Sequence, residues 1–236
     1  MAQISLTGRV CLQEKWLRWK WMPKGTSGAV ICQGDASLKR RAVVFIDGGY
    51  LNNILKYDFH GQRIDYHIFS DLLVGEEERL RTYYYNCMPF VPDSPTPEQR
   101  NEYQKMERFI YTIQNLPRFD VRLGVLQKQG DELVQKMVDV MIAVDLVRLT
   151  FGGKMDTAIL LTGDSDFIPA IEVAKDAGVL VRLMYSDSPW RMMSSRLKDA
   201  VDDYQMLTDD IISRCLKERG REGQNSEPIP SDESGP

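Results

Sequence analysis

Residues Thr157–Pro169 read TAILLTGDSDFIP. The short apolar run Ala158–Leu161 predicts a buried parallel strand. Thr162-Gly163 ends it, and a helix is predicted over Phe167–Ala177, with Gly178 as its stop. Asp164 and Asp166 therefore stand where a strand hands over to a helix. In open α/β sheets that carboxyl edge is where ligands bind. Two carboxylates there can cap a helix or hold a hard divalent cation. The flanking sequence bears on the choice.

Upstream, AVVFID (42–47) is a β-branched apolar run ending in Asp47, followed by Gly48-Gly49 and the helical pattern YLNNILKY. Strand, acid, glycines and helix make a first βα unit, and the glycines permit a tight turn beside whatever Asp47 binds. Asp47 alone reads more readily as a helix cap than as a ligand. A short helix is predicted over Asp65–Leu73 and an aromatic-rich strand over Leu80–Cys87. After a Pro-rich loop, a long helix is predicted over Glu98–Asn115, with Pro97 at an early position. Phe119–Leu126 alternates polar and apolar residues as a third strand. Leu133–Leu149 is predicted as a helix, apolar nearly all round and so buried on most sides. Lys136 and Asp139, three apart, would share a face of it. They read either as an ion pair or as two groups facing the strand edge. Val179–Tyr185 is a fifth strand, Trp190–Lys198 a helix, Tyr204–Leu207 a short extra strand and Thr208–Lys217 a final helix. Alternating strands and helices predict a three-layer α/β/α sandwich around a central, mostly parallel sheet.

The organisation expected is an arm (1–40), a domain (41–217) and a tail (218–236). The arm interleaves bases with Trp16, Trp19 and Trp21, a composition that can stack on single-stranded nucleic acid or merely pack on the domain. The tail is rich in Gly, Ser, Pro and Glu and is expected to be disordered. The full chain has a net charge of -4. Eight Lys/Arg fall in residues 1–41 against two acids, leaving 22 basic and 32 acidic residues beyond. Any polyanion must therefore be held locally or through metal ions. Four scattered cysteines and two histidines argue against a structural zinc site and a disulfide framework. The opening residues lack a long apolar stretch, and no run approaches the ~20 residues of a membrane helix. A cytoplasmic protein is the expectation.

Asp47 at the end of strand one, Asp164 and Asp166 after strand four, and Asp139 on the helix entering strand four can converge if strands one and four are neighbours. Four carboxylates so close would repel and raise one another's pKa values. Mg²⁺ or Mn²⁺ relieves this, since both favour carboxylate and water oxygens. That is hydrolytic phosphate chemistry in outline.

FIDGGYLNN, QKMVDVMIAVDLV, AILLTGDSDFIPAI and VLVRLMY, in this order and at these separations, resemble the NYN domain of the LabA-like group in the PIN-like nuclease superfamily. The resemblance covers about Ala42–Ser186 and extends toward Leu207. It implies a PIN-like, Rossmann-like fold, a divalent metal site and activity on RNA. It maps the first-strand aspartate onto Asp47, the K-x-x-D helix motif onto Lys136 and Asp139, and G-D-x-D onto Asp164 and Asp166. Asp47, Asp139, Asp164 and Asp166 would then hold Mg²⁺ or Mn²⁺, directly or through water. Lys136 would contact a phosphate or orient the attacking water, and Thr162 and Ser165 would tune the site or cap the helix. Many members carry Asp-Gly-x-Asn at the first strand, where this chain has Tyr50. Asn52 or Asn53 offers an amide nearby. Asp187 is a further candidate acid, and Asp145 reads as structural.

The expected activity is a metal-dependent RNA endonuclease, acting on single-stranded RNA more readily than on duplex. No membrane partner is expected, and a homodimer is left open. A haloacid-dehalogenase-type phosphatase fits less well, because its second nucleophile-motif aspartate falls at Gly49. The alternative from another class is a non-catalytic RNA- or nucleotide-binding or interaction module on the same fold.

Overall fold

The computed structural model describes residues 39–129, 132–186 and 194–217, with side chains described for all of these except 126–136. The arm, the tail, Asp187 and the start of the helix expected at Trp190 lie outside the described residues.

β1 (Arg41–Asp47) is the centre of the sheet. On one side it pairs in parallel with β2 (Glu78–Cys87), which pairs in parallel with β3 (Phe119–Gln129). On the other side come β5 (Thr157–Leu161), β6 (Leu180–Tyr185) and β7 (Asp203–Met206), all parallel. β4 (Glu132–Lys136) adds an antiparallel strand outside β3, giving the order β4-β3-β2-β1-β5-β6-β7.

Alternation along the strands explains the two faces. Ala42, Val44 and Ile46 of β1, Tyr84 of β2 and Ile159 and Leu161 of β5 point to one core. There they meet α1 (Gly48–Tyr57), α2 (Tyr66–Val74), α3 (Pro97–Gln114) and α7 (Asp209–Arg214). Val43, Phe45, Tyr83, Tyr85, Ala158 and Leu160 point the other way. They pack on α4 (Val138–Phe151), α5 (Ile168–Asp176) and α6 (Ser195–Ala200). Strands covered on both faces are continuously apolar, which is why AVVFI and AILL carry no polar residue. The result is the three-layer α/β/α sandwich expected. Among the described residues no helix is long and apolar enough to cross a membrane.

Three expectations are corrected. The helix expected from Leu133 begins only at Val138; residues 132–136 are a strand, in register with β3 from Val125↔Lys136 to Gln129↔Glu132. Met137 separates the two with a left-handed backbone, φ 78°, through which a right-handed helix cannot propagate. Lys136 and Asp139 therefore do not share a helix face. Nor is α4 buried on most sides: Val140 is 64% exposed and Phe151 73%, because the sheet and α5 cover only one flank. Finally, the helix expected over Trp190–Lys198 is described as Ser195–Ala200, capped by the Ser194 hydroxyl accepting from Leu197 N–H at 3.1 Å.

Candidate active site

The carboxyl edge is built where β1 and β5 end side by side. Ile46 pairs with Leu161, so Asp47 and Thr162 leave the sheet as neighbours. Asp47 accepts a hydrogen bond from Tyr50 N–H at 3.1 Å and so caps α1. Gly48 must lack a side chain, because a Cβ would meet the Tyr84 ring and stand 2.7 Å from the Tyr85 carbonyl. After β5 the chain turns through Thr162, whose hydroxyl accepts from Asp164 N–H at 3.3 Å. Asp164 in turn accepts from Asp166 N–H at 2.9 Å and starts a 3-10 turn, Ser165–Phe167, leading into α5. Asp139 occupies the first turn of α4, which packs against this turn and α5.

Electrostatics ties the four acids together. Removal from water is the main influence raising the Asp47 pKa. The Tyr50 and Gly49 N–H groups oppose it, and the charges of Asp139 and Asp164 add to it. The Asp139 pKa is also raised, first by partial desolvation and then by Asp164 and Asp166. Negative charge at this edge is partly balanced by the N-termini of α1 and α4, whose dipoles favour anions.

Asp164 and Asp166 are exposed, Ser165 is half-buried between them, and Asn53 is exposed on α1. Asn52 lies by the Tyr84 hydroxyl, which accepts from the Asn86 side-chain amide at 3.1 Å and whose pKa burial pushes up to about 12. Thr162 is only 2% exposed and its hydroxyl accepts from Asp164 N–H, so it supports Asp164 from beneath. Lys136 ends β4, and its side chain lies outside the described residues. Asp145 is buried, accepting from the Tyr85 hydroxyl at 3.0 Å and pairing with Arg122 and Arg148.

Tyr50 has a part that sequence reasoning missed. Its ring lies over Gly163, where an added Cβ would come within 2.7 Å of a ring carbon. Its hydroxyl accepts from Ser186 N–H at 3.3 Å, and the Ser186 hydroxyl donates to Asp58 at 2.6 Å. Tyr50 thus ties the ends of β5 and β6 to α1. The signal was present as an aromatic at the first-strand motif and a glycine before Asp164, but their contact is tertiary.

Among the described residues no three carboxylate, imidazole or thiol side chains form a ready-made metal cage. The donor set nonetheless fits a hard, hydrated cation. Mg²⁺ keeps several waters and needs only one or two carboxylates, and the charges of Asp164 and Asp166 already help to raise the Asp139 pKa, as those of Asp139 and Asp164 do for Asp47.

A mostly parallel α/β/α sandwich is consistent with the PIN-like nuclease superfamily, to which NYN domains belong. The NYN domain profile matches residues 41–208, and the chain belongs to that family. A solved structure of a Vibrio parahaemolyticus protein of unknown function is similar with a TM-score of 0.51 and 20% identity, covering 78% of this chain and 100% of its own. That likeness concerns the fold alone. A Parabacteroides merdae structure, at TM-score 0.28 and 11% identity over 71% of this chain and 31% of its own, carries no argument. No curated protein matches significantly.

Proposed function

We propose that the chain is a divalent-metal-dependent ribonuclease that hydrolyses RNA phosphodiesters at the β1/β5 edge. The observation that carries this is the gathering of Asp47, Asp164 and Asp166 at the ends of paired strands β1 and β5, with Asp139 near enough for its charge to raise the Asp47 pKa, in a domain of a nuclease superfamily. Mg²⁺ or Mn²⁺, held by one or two of these carboxylates and through water by the others, would supply positive charge and a more acidic water. Asp47 and Asp139 hold protons more readily than ordinary carboxylates, which suits one of them to accept the proton of the attacking water. Lys136 ends β4 two residues before α4 begins, and the family resemblance assigns it to a non-bridging phosphate oxygen. Ser165, Asn52 and Asn53 are the polar groups placed to meet the substrate near the acids. Water adds to phosphorus, the bond to the 3′ oxygen breaks, and the products carry 5′-phosphate and 3′-hydroxyl ends.

The test is cleavage of labelled single-stranded RNA with Mn²⁺, with Mg²⁺ and with EDTA, beside the Asp164→Asn/Asp166→Asn variant. Cleavage is expected with metal alone and should fall by at least ~100-fold in the variant, on the scale at which charge stabilisation contributes to catalysis. 2′,3′-Cyclic phosphate ends would contradict attack by water. A folded protein that binds RNA without turnover would instead support a non-catalytic binding module.

A further inference from the structure

A groove of about 920 Å³ opens between α1 and α3 on the helical face of the domain. Its rim carries Lys56, Arg63, Lys105, Arg108 and Lys217, all exposed. The one acid lining it, Asp65, is committed to capping α2, accepting from His67 N–H at 2.8 Å and Ile68 N–H at 3.0 Å. Five positive charges thus gather on a domain that is otherwise strongly acidic.

Many of the domain's arginines, by contrast, are used in ion pairs. Arg41 pairs with Asp156, Arg79 with Asp71, Arg81 with Asp120, Arg148 with Asp145 and Arg182 with Asp203. Among the described residues none of the five groove cations has an ion-pair partner. Unpaired like charges around one cleft repel, and an external anion removes that cost. The floor is not polar: Phe109 lies half-buried there, edge-on to Tyr66 at 5.5 Å and to Tyr84 at 5.8 Å between ring centroids. A cationic rim above an aromatic floor is the composition that holds a single strand, whose phosphates meet the cations and whose bases meet the ring. A duplex hides its bases and gains nothing from that floor.

The groove is lined in part by the helix that Asp47 caps. Asn52 lines it, about one and a half helical turns from Asp47, and lies by the same Tyr84 hydroxyl that packs against Gly48. We infer that the α1/α3 groove binds the sugar-phosphate backbone of single-stranded RNA and guides it toward the β1/β5 edge. This deepens the ribonuclease reading and rests on it for the identity of the polyanion.

The experiment is fluorescence anisotropy of a labelled single-stranded RNA with the full chain in EDTA, across a salt series. Lys105→Gln/Arg108→Gln removes two charges from α3, and Lys56→Gln/Arg63→Gln removes two from the opposite wall. All four side chains are exposed, and circular dichroism checks the fold. Each pair should weaken binding roughly 10- to 30-fold at 100 mM salt and flatten the log–log salt slope by about 1.4, the counterion release of two contacts on a single strand. Lys154→Gln/Lys198→Gln, which removes equal charge outside the groove, should leave the slope in place. Wild-type binding that none of the groove variants alters would overturn the groove while the RNA reading stands. Absence of RNA binding by the wild type, even at 50 mM salt, would overturn both. Poly-glutamate that displaces the strand as well as unlabelled RNA does would overturn the assignment to nucleic acid.

Discussion

Asp47 caps α1 through Tyr50 N–H, yet it sits largely out of water and within the influence of Asp139 and Asp164. The cap favours its charge, while desolvation and its acidic neighbours oppose it, and the balance leaves the pKa raised. A carboxyl whose folded pKa exceeds its unfolded value binds more protons when folded. Its favourable contribution is complete below the unfolded value, near pH 4, and is lost as pH rises through the folded one. At neutral pH the ionised Asp47 therefore costs stability. Asp47→Asn keeps a side-chain oxygen for the cap and removes the charge. The variant should melt at higher temperature than wild type at pH 7, with the difference vanishing by about pH 3, and it should be inactive on RNA. Thermal melts from pH 3 to 8 check this; a variant that melts lower at pH 7 would show that the charge is well accommodated. Asp47, Asp164 and Asp166 were legible in the sequence because they stand where apolar strand runs hand over to helices, whereas Asp139 was expected inside a helix beginning at Leu133 and stood out only through the K-x-x-D motif. Tyr50 was not, because its contact with Gly163 and Ser186 joins residues far apart in the chain.

The elements around the edge depend on close approach. Gly163 has an ordinary backbone, so what it supplies is room for the Tyr50 ring. Gly163→Ala places a methyl group about 2.7 Å from that ring and should cost about 1–3 kcal/mol by overpacking. In a Tyr50→Ala background the same change should cost well under that, a coupling of about 0.5–3 kcal/mol. Chemical denaturation of the four proteins measures it, and equal costs in both backgrounds would remove Tyr50 from the account. The order of strands and helices was readable because buried parallel strands are uninterrupted apolar runs: AVVFI, AILL and most of VLVRLMY. The β3–β4 hairpin was not readable. LVQKM offers apolar residues at spacings that suit a helical turn as well as a strand, and no glycine marks the left-handed residue, Met137, at which the helix is broken. The exposed flank of α4 escaped for a related reason: apolar residues state a preference for burial without showing whether a neighbour is there to provide it.

At the scale of the whole molecule, charge is sorted rather than balanced. Acids collect at the β1/β5 edge, unpaired cations at the α1/α3 groove, and other arginines are used in ion pairs that hold the sandwich together. Gathering acids in this way weakens the metal-free fold, since Asp47 and Asp139 are both more costly to ionise than free carboxylates. A cation that binds the folded edge and not the unfolded chain must then stabilise the domain by mass action. At a concentration 100-fold above its dissociation constant the gain is about 2.7 kcal/mol. For a domain of this size that corresponds to a rise in Tm of roughly 5–10 °C. Mn²⁺ added to EDTA-treated protein should produce the shift, and more EDTA should reverse it. Asp164→Asn/Asp166→Asn should abolish it, whereas Lys105→Gln/Arg108→Gln should retain it, because the groove holds the polyanion and the edge holds the cation. A wild type whose melting does not respond to either Mn²⁺ or Mg²⁺ would leave these carboxylates to helix capping alone. It would also move the balance of argument from catalysis toward RNA binding.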